Sequence, residues 1–328
     1  MNETPGREGS ARPWLARLHP NLFSIPLGLI GLAGAWRQLV LLGHTVGNPI
    51  SLWLFVSGVA VFALLLLLWL AKSLKHPGTV RQEWNHPVQG PQFALAPLCV
   101  LAATATAANA FPFGPSFWLP PVLIALAVQG VLAWQVVARL SSGQMPGELV
   151  TPLLYLPTVA GGFIGALCLN AIGYDGWAAV FFGLGLGAWA LLEMRILNRL
   201  FAGPLPLALR ASLGLEIAPG AVGALAVASL WPTLPALVPA LCIGVALAPL
   251  FAVLTRWRFL AAVPFSAGMW SFSFPLAALA AATAETVRRG EWDGWIALGA
   301  VAAASAVIAF LALRTISLAL RGKLLPPQ

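Results

Sequence analysis

The sequence predicts an all-α polytopic membrane protein with ten transmembrane helices, arranged as five helical hairpins. Of its 328 residues, 59% are hydrophobic and 9% are charged, whereas soluble domains carry about 25% charged residues. Apolar runs of about 20 residues, long enough to cross a bilayer, alternate with short polar connectors. The net charge of +8 comes from basic residues at the ends of these runs, which is typical of membrane topology and argues against nucleic acid binding.

The ten apolar runs follow one another without leaving room for a soluble domain. Short connectors make neighbouring spans antiparallel. We expect a polar cytoplasmic tail over 1–19, a single ten-helix domain over 20–320 and a second cytoplasmic tail over 321–328. The predicted spans, numbered 1 to 10 in chain order, are 21–42, 50–72, 92–111, 117–139, 152–171, 176–198, 207–229, 234–255, 264–283 and 294–318.

The distribution of lysine and arginine predicts the orientation. When the N-terminal side is taken as cytoplasmic, only Arg37, Arg288 and Arg289 of the 18 basic residues fall on the opposite side. Cytoplasmic segments carry the excess of basic residues in membrane proteins. The split therefore predicts an even number of spans and two cytoplasmic termini.

A proline recurs in the apolar interior of every odd-numbered span: Pro26, Pro97, Pro157, Pro219 and Pro275. Interior proline kinks a membrane helix, and irregular backbone at membrane depth is tolerated where it is buried or lines a cavity. The period of about 60 residues is one hairpin long. We therefore expect an inner ring of five kinked helices around a pore and an outer ring of five straight helices. The alternative is that prolines are simply frequent in membrane helices.

Six blocks of sequence resemble the tellurite-resistance/dicarboxylate transporter family. This family includes bacterial TehA proteins, yeast malic-acid and sulfite transporters and the slow anion channels of plant guard cells. The resemblance covers about residues 20–320 and is more specific to fold than to substrate. The blocks are "NLFSIPLGLIGLAGAW" (21–36), "VRQEWNHPVQGPQFALAP" (80–97), "YLPTVAGGFIGAL" (155–167), "FFGLGLGAWALLE" (181–193), "LRASLGLEIAPGAVG" (209–223) and "WSFSFPLA" (270–277).

The resemblance implies a quasi-five-fold pore, a homotrimer with one pore in each protomer, and a phenylalanine that occludes the pore. In the family this phenylalanine lies on the ninth helix immediately before a proline or glycine, which by motif is Phe274. Pro275 would bend the helix and Phe274 would close the bore, because hydrophobic constrictions gate by dewetting. The alternative role of Phe274 is lipid contact or helix packing.

Positive charge at the cytoplasmic mouth is expected to attract anions. The odd spans begin on that side, so the positive ends of their helix dipoles lie there. Arg81, Arg210, Arg256 and Arg258 would add positive potential. The alternative role of these arginines is membrane topology and contact with lipid headgroups.

Glu216 lies in the interior of span 7, where a charged carboxylate is costly and usually functional or paired. We consider two hypotheses: it pairs with an arginine such as Arg210, or it stays protonated and links transport to pH. Residues 210 and 216 lie on roughly opposite helix faces, since each residue turns about 100°. Near the end of span 6, Glu193 is expected to form an ion pair within the protein, close to Arg195 and Arg199.

Together with these features, the family resemblance implies an anion channel of the bacterial inner membrane that conducts small inorganic or organic anions. Its pore would be lined by spans 1, 3, 5, 7 and 9. The alternative is a proton-coupled carrier for C4-dicarboxylates or oxyanions such as malate, sulfite or tellurite-related species. An enzyme is not expected, because no nucleophile–base pair, metal-ligand cluster or phosphate loop is recognisable. We expect no cofactor and no metal.

Overall fold

The computed structural model describes residues 13–108, 110, 111 and 113–325. Within these residues all regular structure is helical, and ten helices match the predicted spans in order, so the predicted fold class is confirmed. Residues 1–12 and 326–328 of the two predicted tails lie outside the described residues. The spans are Pro20–Leu41, Gly47–Lys75, Gly90–Ala107, Pro115–Ser141, Pro152–Ala171, Asp175–Phe201, Leu207–Leu230, Leu237–Thr255, Ala267–Gly290 and Gly294–Leu320.

Short helices occupy several connectors, and span 9 continues well beyond its predicted end. The short α-helices Pro77–Asn85 and Trp257–Ala261 follow spans 2 and 8. Span 9 was expected to end at residue 283 but continues to Gly290. Its last turns contain Glu285, Arg288 and Arg289, whose ion pairs at helical spacing accommodate the charges within the helix.

The odd spans are composite, whereas each even span is one continuous α-helix. Every odd span opens with 3₁₀ turns, in which hydrogen bonds join residues three apart. Span 5 adds a π-helical segment, Leu156–Ala160, before its α-helix. The 3₁₀ segments are Pro20–Phe23, Gly90–Ala94, Pro152–Tyr155, Leu207–Ile217 and Ala267–Phe272.

The five predicted kink prolines lie just after these 3₁₀ turns. Each is among the first three residues of the α- or π-helical segment that follows, and each is buried. The first four N–H groups of a helix have no intrahelical partner, so a proline there removes no helical hydrogen bond. The prolines therefore mark a change of helix type and do not interrupt a continuous α-helix.

Burial separates the two sets of spans. Between 50% and 89% of the residues in the apolar windows of the odd spans are buried, against 11% to 33% in the even spans. Span 1 contacts span 3, and the contacts continue through spans 5, 7 and 9 back to span 1. Each even span packs on the odd span that precedes it. The odd spans form the interior, and the even spans present apolar side chains outwards.

Two glycines allow the close approach of spans within a hairpin. A Cβ atom at Gly162 would overlap the backbone of Gly185, and one at Gly220 would overlap the backbone of Ala246. Small residues at such crossings let membrane helices pack backbone against backbone. Hairpins 5–6 and 7–8 therefore depend on these positions.

Candidate transport pathway

Three cavities lie one after another along the odd spans. We name them the start-side cavity (about 580 Å³), the central cavity (about 30 Å³) and the end-side cavity (about 400 Å³). All five odd spans contribute lining residues to each of them. Ser271 borders both the start-side and the central cavity, while Ile164 and Phe274 border both the central and the end-side cavity. The three volumes are therefore consecutive, with the narrowest in the middle.

The start-side cavity is lined where the odd spans begin. Each span contributes a side chain there, for example Asn21, Gln92, Leu153, Ser212 and Ser271. The 3₁₀ turns carry these residues. The change from 3₁₀ to α-helix thus occurs at the boundary between the wide start-side cavity and the narrow central one.

Titratable groups of the start-side cavity are His19, His86 and Lys323. His19 precedes span 1, and its Nδ1 accepts a hydrogen bond from the backbone N–H of Asn21 at 3.3 Å. Burial, together with the positive charges of Lys72 and His86, lowers the pKa of His19 to about 4. His19 is therefore neutral at pH 7, and Lys323 supplies permanent positive charge at this cavity.

The central cavity, at about 30 Å³, is more than ten times smaller than the cavity on either side. Its walls are mainly apolar and aromatic, including Phe163, Trp270 and Phe274. The ring of Phe274 lies against Gly31, where an added Cβ atom would be 2.8 Å from the ring carbon Cδ2. Phe274 therefore borders the smallest of the three cavities, and Gly31 on span 1 provides the space for its ring.

The end-side cavity also carries positive charge. Arg37 and Arg288 line it together with Glu285. Glu285 Oε1 is 2.7 Å from Arg288 Nη2 and 2.6 Å from Arg289 Nε, so its charge is neutralised. Arg37 has no hydrogen-bond or ion-pair partner among the described residues. Net positive charge remains facing the cavity.

The four arginines predicted at the cytoplasmic mouth are placed elsewhere. None of Arg81, Arg210, Arg256 and Arg258 is among the residues that line the start-side cavity. Arg210 donates to the backbone carbonyls of Leu205 and Phe259, each at 3.2 Å, and its guanidinium lies 3.7 Å from the Phe259 ring centroid. Arg81, Arg256 and Arg258 are exposed. In the sequence, Arg37 and Arg288, which line the end-side cavity, were used only as evidence for membrane topology. They are two of the three basic residues predicted on the side opposite the cytoplasm, and this isolation could have marked them as site residues.

Glu216 lines none of the three consecutive cavities. It borders a fourth cavity of about 860 Å³ between spans 6, 7 and 8, together with Glu193. The hydroxyl of Tyr155 donates to Glu193 Oε2 and lies 3.3 Å from Glu216 Oε2. Trp189 Nε1 also donates to Glu193 Oε2, at 3.0 Å. The two carboxyl groups are thus joined by one tyrosine, which sequence reasoning missed.

This arrangement corrects both expected acid–base pairs. Glu216 does not pair with Arg210, whose guanidinium is bound to backbone carbonyls. Glu193 does not pair with Arg199, which donates to the carbonyls of Glu148 and Gly203. Each arginine satisfies carbonyl groups near the end of a helix, where the backbone has unpaired acceptors. Among the described residues, no group of three His, Cys, Asp or Glu side chains is placed to bind a metal.

Comparison with known proteins identifies the family. Residues 17–316 match the family model described as "SLAC1: Voltage-dependent anion channel". The chain is 30% identical to the tellurite resistance protein TehA homolog of Haemophilus influenzae over 79% of this chain and 78% of that protein. It is 26% identical to the S-type anion channel SLAH3 and 24% identical to the guard cell S-type anion channel SLAC1, both of Arabidopsis thaliana.

The two plant alignments cover 83% of this chain, but only 43% of SLAH3 and 50% of SLAC1. The match to the family model covers most of the chain, and the alignment with the TehA homolog covers most of both proteins. The chain therefore belongs to the SLAC1/TehA family of anion channels and transporters.

Proposed function

We propose that this protein is an anion channel in which small anions pass through the start-side, central and end-side cavities, and in which Phe274 closes the passage. The observation that carries this proposal is the succession of three cavities lined by all five odd spans, of which the one beside Phe274 is by far the smallest. The closed order of contacts among the odd spans suits a quasi-five-fold ring around this conduit.

The charges along the conduit suit anions. Arg37 and Arg288 face the end-side cavity, and Lys323 faces the start-side cavity. Positive charge at wide cavities concentrates anions there. The central cavity has no lysine or arginine among its described lining residues, and a fixed charge at this depth would bind an anion too firmly for rapid release. Attraction at the two ends and weak binding at the centre are what conduction requires.

The second candidate is a proton-coupled carrier for C4-dicarboxylates or oxyanions. The buried carboxyl groups of Glu193 and Glu216 favour it, because such groups serve as proton sites in transporters. They border the fourth cavity and line none of the three cavities of the proposed conduit. The channel is therefore our preferred function.

Assembly and location stay predictions. We propose a homotrimer in the bacterial inner membrane, with both termini cytoplasmic and the even spans in contact with lipid or neighbouring protomers. Large exposed apolar side chains on the even spans, such as Trp53, Leu67 and Leu191, suit either environment.

Reconstitution into liposomes of defined lipid composition tests the function. A channel gives anion current that rises linearly with voltage without a proton gradient. Arg37→Gln should lower this current several-fold at low ionic strength and much less at high ionic strength, because salt screens the charge. Arg195→Gln, which changes an exposed arginine on span 6, is the matched control. Saturating flux that requires a proton gradient would instead establish the carrier.

A further inference from the structure

The proposed conduction pathway does not yet account for the cluster of Glu193, Tyr155 and Glu216. Glu193 lies on span 6 and Glu216 on span 7, and both border the fourth cavity. Tyr155 lies on span 5, is 1% exposed, and also borders the central cavity. The Tyr155 phenol therefore contacts both carboxyl groups and also forms part of the wall of the central cavity.

The two carboxyl groups lack a cation. The basic residues on the elements that carry or border them are Arg195 and Arg199 on span 6, Arg210 on span 7 and Arg256 at the end of span 8, and none of them forms an ion pair with either carboxyl group among the described residues. Arg210 is bound to the carbonyls of Leu205 and Phe259, and Arg256 is exposed at the edge of the fourth cavity. Two ionised carboxylates beside one tyrosine, without a cation between them, would repel strongly in a low-dielectric interior. One of the two groups must therefore carry a proton.

The hydrogen bonds favour Glu216 as the group that carries it. Glu193 Oε2 accepts from both Tyr155 and Trp189, which suits an ionised carboxylate. A phenol has one hydrogen, and the Tyr155 hydroxyl directs it to Glu193, its closer neighbour. A hydrogen on Glu216 then accounts for the 3.3 Å contact between the Tyr155 oxygen and Glu216 Oε2.

The other oxygen of Glu216 is consistent with this assignment. Glu216 Oε1 is buried and has no hydrogen-bond partner. An unpaired carbonyl oxygen of a neutral acid is far less costly to bury than an unpaired carboxylate oxygen. The hydrogen bonds then run in one direction, from Glu216 to Tyr155 to Glu193.

We propose that Glu216 is a proton-binding site that holds a proton at neutral pH, and that its state of protonation controls anion flux through Tyr155. Loss of this proton leaves a second negative charge next to Tyr155, at the wall of the central cavity. Negative charge beside the path disfavours anions. Anion flux therefore falls when the pH becomes alkaline enough to ionise Glu216.

Infrared spectroscopy of the protein in liposomes tests the proton site without any transport. The wild type should show a stretching band of a protonated carboxylic acid at neutral pH that Glu216→Gln removes. Glu148→Gln, which changes an exposed glutamate, should leave the band in place. Tyr155→Phe removes the acceptor of the Glu216 hydrogen and should shift the band, which provides a second readout if Glu216→Gln does not fold. A band that neither variant alters would overturn the assignment.

Flux measurements test the link to the conduit. Wild-type and Glu148→Gln flux should fall between neutral and alkaline pH, whereas Glu216→Gln flux should stay constant. Equal pH profiles in wild type and Glu216→Gln would overturn the link. Because the infrared band does not depend on transport, failure of the proton site is distinguishable from failure of the proposed channel function.

Discussion

His19 borders the start-side cavity, and its burial makes the stability of the protein depend on pH. The pKa of His19 is lowered to about 4 in the folded protein, against about 6.5 in an unfolded chain. The unfolded state therefore takes up a proton first as the pH falls. Stability contributed by neutral His19 is present above about pH 6.5 and is lost between there and about pH 4, by up to about 3 kcal/mol.

A substitution at His19 should remove much of this acid sensitivity. His19→Asn keeps a hydrogen-bond acceptor for the Asn21 N–H and lacks the titrating group. Between neutral pH and about pH 5, its thermal unfolding midpoint in detergent should fall less than that of the wild type. His44→Asn, at an exposed position, is the control. An equal loss in wild type and His19→Asn would contradict the burial of a neutral His19.

Sequence reasoning found some site residues and missed others, for a physical reason. The resemblance to the family, through its phenylalanine before a proline on the ninth helix, was what selected Phe274. The partners of Arg210 and Glu193 were not accessible in this way, because they come from segments far away in the chain. Arg210 is bound to the Phe259 carbonyl and Glu193 to the Tyr155 hydroxyl. Such partners are determined only when the hairpins pack together.

Spans 5 and 6 can pack as a hairpin only because their backbones approach closely at Gly162. A methyl group at this position would meet the backbone of Gly185, which cannot rotate away as a side chain can. Gly162→Ala should therefore push span 6 outwards and destabilise the protein by about 1–3 kcal/mol. The thermal unfolding midpoint measures this effect.

Gly183→Ala is the matched control for Gly162→Ala, since it lies on span 6 and an added Cβ atom there meets no atom within 4 Å. It should leave the midpoint unchanged or raise it slightly, because alanine favours helix more than glycine does. Equal midpoints for the two variants would show that the hairpin does not depend on backbone contact at Gly162.

The spans themselves were accessible to sequence reasoning, whereas their internal helix types were not. Apolar length determines a span because the bilayer sets the length of the element. The 3₁₀ turns at the start of each odd span depend on packing against neighbouring spans, which the composition does not encode. Proline nevertheless marked each change of helix type to within three residues.

At the scale of the whole molecule, the alternation of prolines predicted which spans lie inside. The odd spans are largely buried and the even spans largely exposed, as the inner and outer sets were expected to be. The three consecutive cavities lie among the odd spans, and Phe274 borders the narrowest of them. The central claim is that the aromatic side chain of Phe274, and not the packing of the spans as a whole, prevents anion flow.

Single-channel or macroscopic current recording of Phe274→Ala in reconstituted bilayers tests this claim most directly. Phe272→Ala is the matched control, because Phe272 lies on the same span, packs against Gly214 and lines none of the three consecutive cavities. We predict that Phe274→Ala raises anion conductance about tenfold or more, equivalent to lowering the barrier by about 1.4 kcal/mol, whereas Phe272→Ala does not. A folded Phe274→Ala protein with wild-type conductance would contradict the account.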